Sequence, residues 1–199
     1  MKKTISIIDY KVGNIKSIIN AISSLGANVI LSCDHKQIID SDAIVLPGVG
    51  SYKHGMSNLK ERKLDKTIYS FVNTGKPVMG ICLGMQLMME DSEEFGYTKG
   101  LGIFEGSVKK MPTNAGFDVP HIGWEGVNFS DSTDIHDFFF CHSYVAHLKN
   151  KNDVYAETSN NSYKFCSAIK KNNIVGYQFH PEKSGKHGIK LIESFISSI

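Results

Sequence analysis

A cysteine between two glycines is the feature of this 199-residue sequence with the clearest chemical potential. Cys82 lies in Gly-Ile-Cys-Leu-Gly, after a short apolar run and before a helix-forming stretch at residues 85–90. This order predicts a strand, a sharp turn and a helix, with the glycines letting neighbouring backbone pass close to Cys82. The N-terminus of the helix would favour the thiolate, the nucleophilic form of cysteine. A buried structural cysteine is an equally good interpretation of this stretch alone.

A histidine and a glutamate two residues apart supply the base that such a nucleophile requires. His180-Pro181-Glu182 follows a predicted strand, and residues two apart in an extended chain point to the same side. Glu182 can accept a hydrogen bond from one imidazole nitrogen of His180 while the other nitrogen faces Cys82. His180 and Glu182 alone would be read as structural, but the cysteine turn makes a Cys-His-Glu triad the better hypothesis.

A glycine-rich segment, Pro-Gly-Val-Gly at residues 47–50, follows another predicted strand. One of its backbone N–H groups, together with that of Leu83, would form an oxyanion hole for a tetrahedral intermediate. A plain glycine turn is the alternative.

A metal site is a competing interpretation of the histidines. Cys141, His142 and His147 lie close in sequence, and His180 or His187 would complete a ligand set. The spacings match no usual zinc pattern, and a metal would leave the cysteine turn without a role. We therefore expect no metal.

Composition narrows the class of protein. The net charge of +2 is too small to indicate binding to nucleic acid or an anionic membrane. No apolar run approaches the roughly 20 residues that span a bilayer. The four cysteines are widely spaced, which favours reduced thiols in a cytoplasmic protein over a disulfide framework. The length suits a single domain, residues 1–199, and the first residues are typical of a strand rather than a signal peptide.

The first half of the chain predicts a parallel, doubly wound α/β sheet, because strands alternate with amphipathic helices. The predicted strands are residues 4–8, 29–31, 43–46 and 77–79, and the predicted helices are 15–25, 34–39, 52–59 and 64–72. Ligands bind beyond the carboxyl ends of such strands. Residues 9–14, residues 47–50 and Cys82 should therefore meet at one edge.

The second half predicts short, mostly antiparallel strands that extend the sheet, followed by a closing helix. Asn172-Asn173 is a predicted hairpin turn. The predicted strands are residues 101–104, 106–110, 126–129, 137–142, 154–157, 165–169 and 174–178. Apolar residues at helical spacing predict the closing helix over residues 189–199.

Taken together, these motifs resemble the class I, or triad, glutamine amidotransferases, and within them the glutaminase subunits of imidazole glycerol phosphate synthases. The resemblance extends over nearly the whole chain. It is carried by residues 9–14, 46–50, 80–86, 100–102, 121–124, 142–144 and 180–184.

The resemblance implies a flavodoxin-like fold and hydrolysis of glutamine to glutamate and ammonia, without a cofactor. Cys82 would form a glutamyl thioester, His180 would shuttle the proton and Glu182 would orient His180. The N–H groups of Val49 and Leu83 would stabilise the oxyanion. The residues that match positions near bound glutamine are Gly50, Gln86, Glu94, Ser143 and Tyr144.

The resemblance also implies a partner, since this chain has no second catalytic domain. Ammonia would pass to a separate (β/α)₈-barrel synthase, which makes imidazole glycerol phosphate and an aminoimidazole carboxamide nucleotide for histidine biosynthesis. Asn14, Trp124 and Lys183 match positions facing that partner. Two positions depart from the pattern on the expected partner side: Lys11 replaces a glycine, and Glu125 replaces an asparagine.

Three alternatives stay open, of which only the first follows from these departures. A paralogous glutaminase would supply ammonia to a sugar amidotransferase for surface glycans. A catalytically inactive relative would serve only as a binding subunit, although the intact triad argues against it. A triad hydrolase or peptidase on a similar sheet is the third, and residues 142–144 and the Trp124 segment favour the amidotransferase over it.

Overall fold

The centre of the molecule is a parallel sheet of five strands, which begins at its edge with residues 28–32 and continues inwards with residues 4–8, 43–46, 78–81 and 174–177. The computed structural model describes residues 2–13, 15–113 and 118–199. The strands are β1 Thr4–Ile8, β2 Asn28–Ser32, β3 Ala43–Leu46, β4 Val78–Ile81, β5 Met89–Ser92, β6 Thr98–Lys99, β7 Phe104–Lys110, β8 His121–Phe129, β9 Ile135–His142, β10 Tyr144–Leu148, β11 Val154–Asn160, β12 Tyr163–Lys171 and β13 Ile174–Tyr177. The α-helices are α1 Ile15–Ser24, α2 His35–Asp40, α3 Tyr52–Glu61, α4 Leu64–Val72, α5 Leu83–Leu87 and α6 Gly185–Ser197.

Helices cover both faces of this parallel sheet, as the uniformly apolar strands require. In β3, Ile44 and Leu46 pack into one core with α2, α3, α4 and α5. Ala43 and Val45 point the other way, into a second core with α1 and α6. The predicted doubly wound arrangement is therefore confirmed.

An antiparallel extension continues from β13 through β12, which then pairs with β10 and β11. β11 leads on to β8 and β9, whose long ladder aligns His121 with His142 and Trp124 with Phe139. Strand β9 lies next to the carboxyl end of the parallel sheet. The backbone N–H of His180, just after β13, donates to the carbonyl of Phe139 in β9 at 2.9 Å. The extension thus places β8 and β9 next to the predicted site.

The helix predicted at residues 85–90 is wrong beyond Leu87. After α5 ends at Leu87, the chain continues as β5 instead of extending the helix. Carbonyl groups at the end of α5 and the start of β5 accept hydrogen bonds from the segment at residues 101–102. The N–H groups of Leu101 and Gly102 donate to the carbonyls of Leu87 and Met89, both at 2.9 Å. These long-range bonds replace the bonds that would have continued the helix.

Two further differences concern strands. The strand predicted at residues 101–104 is wrong except for Phe104, which begins β7. The sequence prediction missed β10, which pairs antiparallel with β7 directly after the motif at residues 142–144. The hairpin turn at Asn172-Asn173 is confirmed: Asn172 takes a left-handed conformation, with φ of 54°, between β12 and β13. Among the described residues, no helix is long and apolar enough to cross a membrane.

Candidate active site

Cys82 lies at a strained turn between β4 and α5. Its backbone angles, φ 51° and ψ −107°, lie outside the regions that L-residues favour, and glycines on both sides make the turn possible. A Cβ atom on Gly80 would come within 2.8 Å of the Met85 nitrogen, and one on Gly84 would overlap the carbonyl of Leu46. The backbone packing at this turn therefore requires both glycines of the motif.

His180 and Glu182 form a buried ion pair behind Cys82. The Nδ1 atom of His180 is 2.9 Å from Oε1 of Glu182, and both side chains are only 3% exposed. Burial alone would lower the pKa of His180, but hydrogen bonds to Cys82 and Glu182 outweigh it and raise the pKa to about 10. His180 is therefore an imidazolium at neutral pH, held between the Cys82 sulfur and a carboxylate.

Ser184 fixes the backbone that carries this pair. Its hydroxyl donates to the carbonyl of His180 at 2.6 Å and accepts from the N–H of Phe139 at 3.0 Å. With the bond from His180 N–H to the Phe139 carbonyl, this ties the end of β13 to β9. The orientation of His180 thus depends on the antiparallel extension as well as on its own strand.

The segment at residues 47–50 does not offer the predicted pair of oxyanion donors in this conformation. The N–H of Leu83 donates to the carbonyl of Gly48 at 3.3 Å, so that donor is occupied. Because the peptide unit is planar and trans, the N–H of Val49 points in the opposite direction from that carbonyl. The Val49 nitrogen lies instead beside Gly13, 3.0 Å from where a Cβ atom would be.

A cleft of about 500 Å³ opens in front of Cys82. All five residues predicted to bind glutamine line this cleft: Gly50, Gln86, Glu94, Ser143 and Tyr144. Val49 and Leu83, the predicted oxyanion residues, line it as well. His180 and Glu182 are not among the lining residues, which is consistent with their place behind the nucleophile. The cleft also exposes Phe95 and Cys141, to which the sequence analysis gave no role.

Glu94 and Gln86 occupy different parts of this cleft. The carboxylate of Glu94 accepts the backbone N–H of Tyr52 at 2.5 Å, at the start of α3. Burial raises the pKa of Glu94, and this hydrogen bond opposes the rise. Gln86 is buried beneath the cleft, and its Nε2 donates to the Tyr144 carbonyl at 2.9 Å.

A histidine pair supports the Ser143–Tyr144 turn from below. Burial lowers the pKa of His142 to about 3, so this residue is neutral, and its Nδ1–H donates to the Tyr144 carbonyl at 3.0 Å. His121 approaches the other ring nitrogen at 3.1 Å and contacts Glu125 at 3.2 Å. Glu125 therefore lies on the same side of β8 as His121, not on the expected partner side. Strand alternation after Trp124 is the signal that places it there.

Trp124 and Lys183 meet on a single surface patch. The ring of Trp124 lies 6.0 Å from that of Phe139, and the ammonium of Lys183 is 5.7 Å from the Phe139 ring. Trp124 is 54% exposed, so its ring is available at the surface beside Phe139 and Lys183. Asn14, the third predicted partner residue, lies outside the described residues.

Sequence reasoning missed two residues that join these regions. Phe139 contributes its ring to the exposed patch and its carbonyl to His180. Gln178 is fully buried and its Nε2 is 3.8 Å from the Cys82 sulfur. The proximity of Gln178 to the His180 motif was the available signal, whereas the role of Phe139 depends on the pairing of β8 with β9.

The residues of the alternative metal site are engaged in other contacts or lie apart. Within the described ranges, no three His, Cys, Asp or Glu side chains are arranged to hold a metal ion. His142 is bonded on both ring nitrogens, as described above. His187 instead stacks on His136, with ring centroids 3.8 Å apart.

Comparisons with known proteins agree with this geometry. The family model "Glutamine amidotransferase class-I" matches residues 6–198. The chain is 42% identical to "Imidazole glycerol phosphate synthase subunit HisH" of Listeria innocua, covering 96% of this chain and 94% of that one. It is 39% identical to "Imidazole glycerol phosphate synthase subunit HisH 1" of Methanococcus maripaludis, covering 98% and 100%.

Solved structures show the same fold at low sequence identity. One, described as "Crystal structure of glutamine amidotransferase", superposes with a TM-score of 0.78 at 15% identity, covering 98% of this chain and 99% of that one. A second, "Structure of PurLQS from Thermotoga maritima", gives a TM-score of 0.76 at 17% identity, covering 100% and 99%. With the family match over nearly its whole length, the chain belongs to the class I glutamine amidotransferases.

Proposed function

We propose that this protein is the glutaminase subunit of an imidazole glycerol phosphate synthase. It hydrolyses glutamine to glutamate and ammonia, and the ammonia passes to a separate barrel subunit that uses it in histidine biosynthesis. The observation that carries the proposal is the placement of Cys82, which interacts with the buried His180–Glu182 pair, at the base of a cleft lined by the predicted glutamine-binding residues. The names of relatives at 39–42% identity support this synthase over the sugar pathway.

The chemistry follows from where the proton lies. With His180 protonated, Cys82 attacks the side-chain amide carbon of glutamine as a thiolate, and a C–S bond forms. His180 then donates its proton to the leaving nitrogen, so the C–N bond breaks and ammonia departs. A water molecule, deprotonated by His180, attacks the thioester carbon; the C–S bond breaks and glutamate is released. Glu182 holds the imidazole in place and stabilises its charged form in both halves.

The cleft residues give a basis for recognising the amino-acid end of glutamine. Glu94 offers a carboxylate to an α-ammonium group, although it also accepts the Tyr52 N–H. Gly50, Ser143 and Tyr144 line the wall that would receive the α-carboxylate. Gln86 would contact the substrate through its side-chain oxygen, since its nitrogen already donates to the Tyr144 carbonyl.

The resting site is incomplete, and we propose that the partner completes it. The oxyanion segment, defined as residues 47–50, directs the Gly48 carbonyl at Leu83. A flip of the Gly48–Val49 peptide would free the Leu83 N–H and turn the Val49 N–H towards Cys82. The flanking glycine at position 50 has φ of 123°, a conformation that side chains rarely adopt, so this segment has the freedom to change.

The partner would bind the patch formed by Trp124, Phe139 and Lys183. This surface is apolar at its centre and carries a cation, and the Phe139 backbone is bonded directly to His180. Asn14 is assigned to the same interface by resemblance alone.

The test is to measure glutamate and ammonia release by the chain with a barrel synthase subunit and its nucleotide ligand. We expect glutamine-dependent formation of imidazole glycerol phosphate at a rate matched to glutamate release. Glutamate release without transfer of nitrogen to this product, with a functional barrel subunit present, would contradict the assigned synthase. No glutamate release at all would contradict the glutaminase assignment.

A further inference from the structure

Gln178 is a fully buried amide that the proposed mechanism does not yet use. It follows β13 and precedes His180 by two residues, and its backbone N–H donates to the Ser167 carbonyl at 2.9 Å. Its side chain therefore leaves a fixed point of the sheet and ends beside the nucleophile. A buried amide has two donors and one acceptor to satisfy, so its partners indicate its orientation.

The orientation follows from a chain of three contacts. The carbonyl of Tyr144 can only accept, so the Gln86 atom 2.9 Å from it must be the amide nitrogen. That nitrogen is also 3.0 Å from Gln178, which must present its oxygen there. The remaining Gln178 atom, Nε2, then faces the Cys82 sulfur at 3.8 Å as a donor.

We infer that Gln178 is a positioning residue that joins the substrate-binding amide of Gln86 to the sulfur of Cys82. The inference rests on the proposed glutaminase function for its kinetic consequences, but not for the contacts themselves. Gln178 donates to the thiolate and so stabilises it, together with His180. It also accepts from Gln86, which leaves the Gln86 oxygen as the group presented to the substrate.

Two separate effects should follow when Gln178 becomes methionine, which has similar length but neither hydrogen-bonding group. Loss of the donor makes the Cys82 thiolate less stable. Loss of the acceptor releases the Gln86 amide, which can then rotate and present a donor in place of an acceptor to the substrate. The first effect belongs to the nucleophile and lowers kcat, whereas the second belongs to binding and raises KM.

The first experiment measures the pH dependence of Cys82 alkylation by iodoacetamide in the folded chain. Mass spectrometry of the peptide that contains Cys82 distinguishes its alkylation from that of the other cysteines. Gln178→Met should shift the alkylation profile upwards by about one pH unit, because a donor to a charged group is lost. Ser167→Ala is the matched control: its hydroxyl is buried next to Gln178 in the sheet and has no hydrogen-bond partner among the described residues. This control should leave the profile unchanged.

The second experiment is a double-mutant cycle on the complex with its barrel partner. Gln86→Met should raise KM for glutamine, and Gln178→Met should raise KM and also lower kcat by about tenfold. In the double variant, KM should stay close to that of Gln86→Met, since Gln178 acts on binding through Gln86. A Gln178 that merely filled space would give independent, additive effects on KM.

An unchanged alkylation profile in folded Gln178→Met, or fully additive KM effects, would overturn the inference. If Gln178→Met does not fold, as judged by circular dichroism, Gln178→Asn replaces it. That variant keeps the amide but is one methylene too short to hold both contacts, and it should give the same upward shift. Alkylation needs no glutaminase activity, so an inactive parent complex would contradict the proposed function while the Gln178 contact is still tested.

Discussion

The two sides of Cys82 are built in different ways. On one side, His180 and Glu182 are almost fully buried and 2.9 Å apart, and Ser184 fixes their backbone by two hydrogen bonds. On the other, the oxyanion segment at residues 47–50 has one glycine with φ of 123° and directs a carbonyl at the Leu83 N–H. The proposed proton-transfer groups are therefore in place, whereas the proposed oxyanion donors are not.

This difference shows where control can act at the lowest energetic cost. Moving His180 or Glu182 would break an ion pair in a low-dielectric interior, which typically costs several kcal/mol. Turning one peptide between glycines requires only the loss of a hydrogen bond of about 1 kcal/mol. A regulated glutaminase would therefore keep its triad rigid and change the oxyanion segment.

Replacement of Cys82 by alanine is expected to have the largest effect. Cys82→Ala should abolish glutamine hydrolysis, because the covalent step needs the sulfur, while the fold and partner binding persist. Ammonia supplied externally should still support the partner's reaction. Substantial glutamate release by this variant, measured with the partner present, would mean that the assembled side of the site is not the catalytic one.

Replacement of Glu182 by glutamine tests the orienting part of the triad. Glu182→Gln should slow hydrolysis by up to about 10⁴-fold, the value for an analogous substitution in a serine protease, and less than Cys82→Ala. The pKa of His180 should fall, because a carboxylate that raises it is lost. Steady-state kinetics of both variants in one assay checks the ranking, and equal inactivity would refute this division of roles.

The same ion pair predicts how stability depends on pH. Cys82 and Glu182 together raise the pKa of His180 from 6.5 to about 10, so their interactions with His180 stabilise the folded state fully below pH 6.5 and lose this contribution as pH rises towards 10. The stability difference between the parent chain and Glu182→Gln should therefore be larger at pH 6 than at pH 10. Urea unfolding at the two pH values measures it, and a constant difference would contradict the charged pair.

The incomplete side of the site predicts slow hydrolysis by the isolated chain. Addition of the barrel partner with its nucleotide ligand should raise kcat by about 10²–10³-fold, the effect of one oxyanion donor, with a much smaller change in KM. Kinetics of the chain alone, with partner, and with partner plus ligand provides the measurement. Full activity in the isolated chain would show that residues 47–50 already stabilise the oxyanion without the partner.

Local sequence patterns were sufficient to predict the structure of segments whose conformation is determined by residues close to them in the sequence. The Cys82 turn, the uniformly apolar β3 and the closing helix α6 were predicted in this way. The prediction failed where pairing with a distant segment determines the secondary structure. The chain after Leu87 forms β5 because the N–H groups of Leu101 and Gly102 donate to the carbonyls of Leu87 and Met89. The direction of the Gly48 carbonyl has no sequence signal at all, since glycine permits both orientations.

The smallest kinetic effect is expected at the partner surface. The Lys183 side chain is exposed and lies over the ring of Phe139, whose carbonyl accepts from the His180 N–H, whereas the Lys183 backbone N–H donates to the His180 carbonyl. The ammonium group is therefore placed to sense a bound partner without contacting the side chains of the triad. Lys183→Ala should reduce the stimulation by partner and ligand several-fold, as expected when one exposed charge is lost from an interface. The basal rate should stay the same, since His180 and Glu182 keep their contacts. Lys186→Ala is the matched control, because it removes another exposed positive charge three residues further along the chain and should leave the stimulation intact. Equal losses in both variants would indicate a general electrostatic effect, and a lower basal rate in Lys183→Ala would show that the patch and the assembled side of the site cannot be separated.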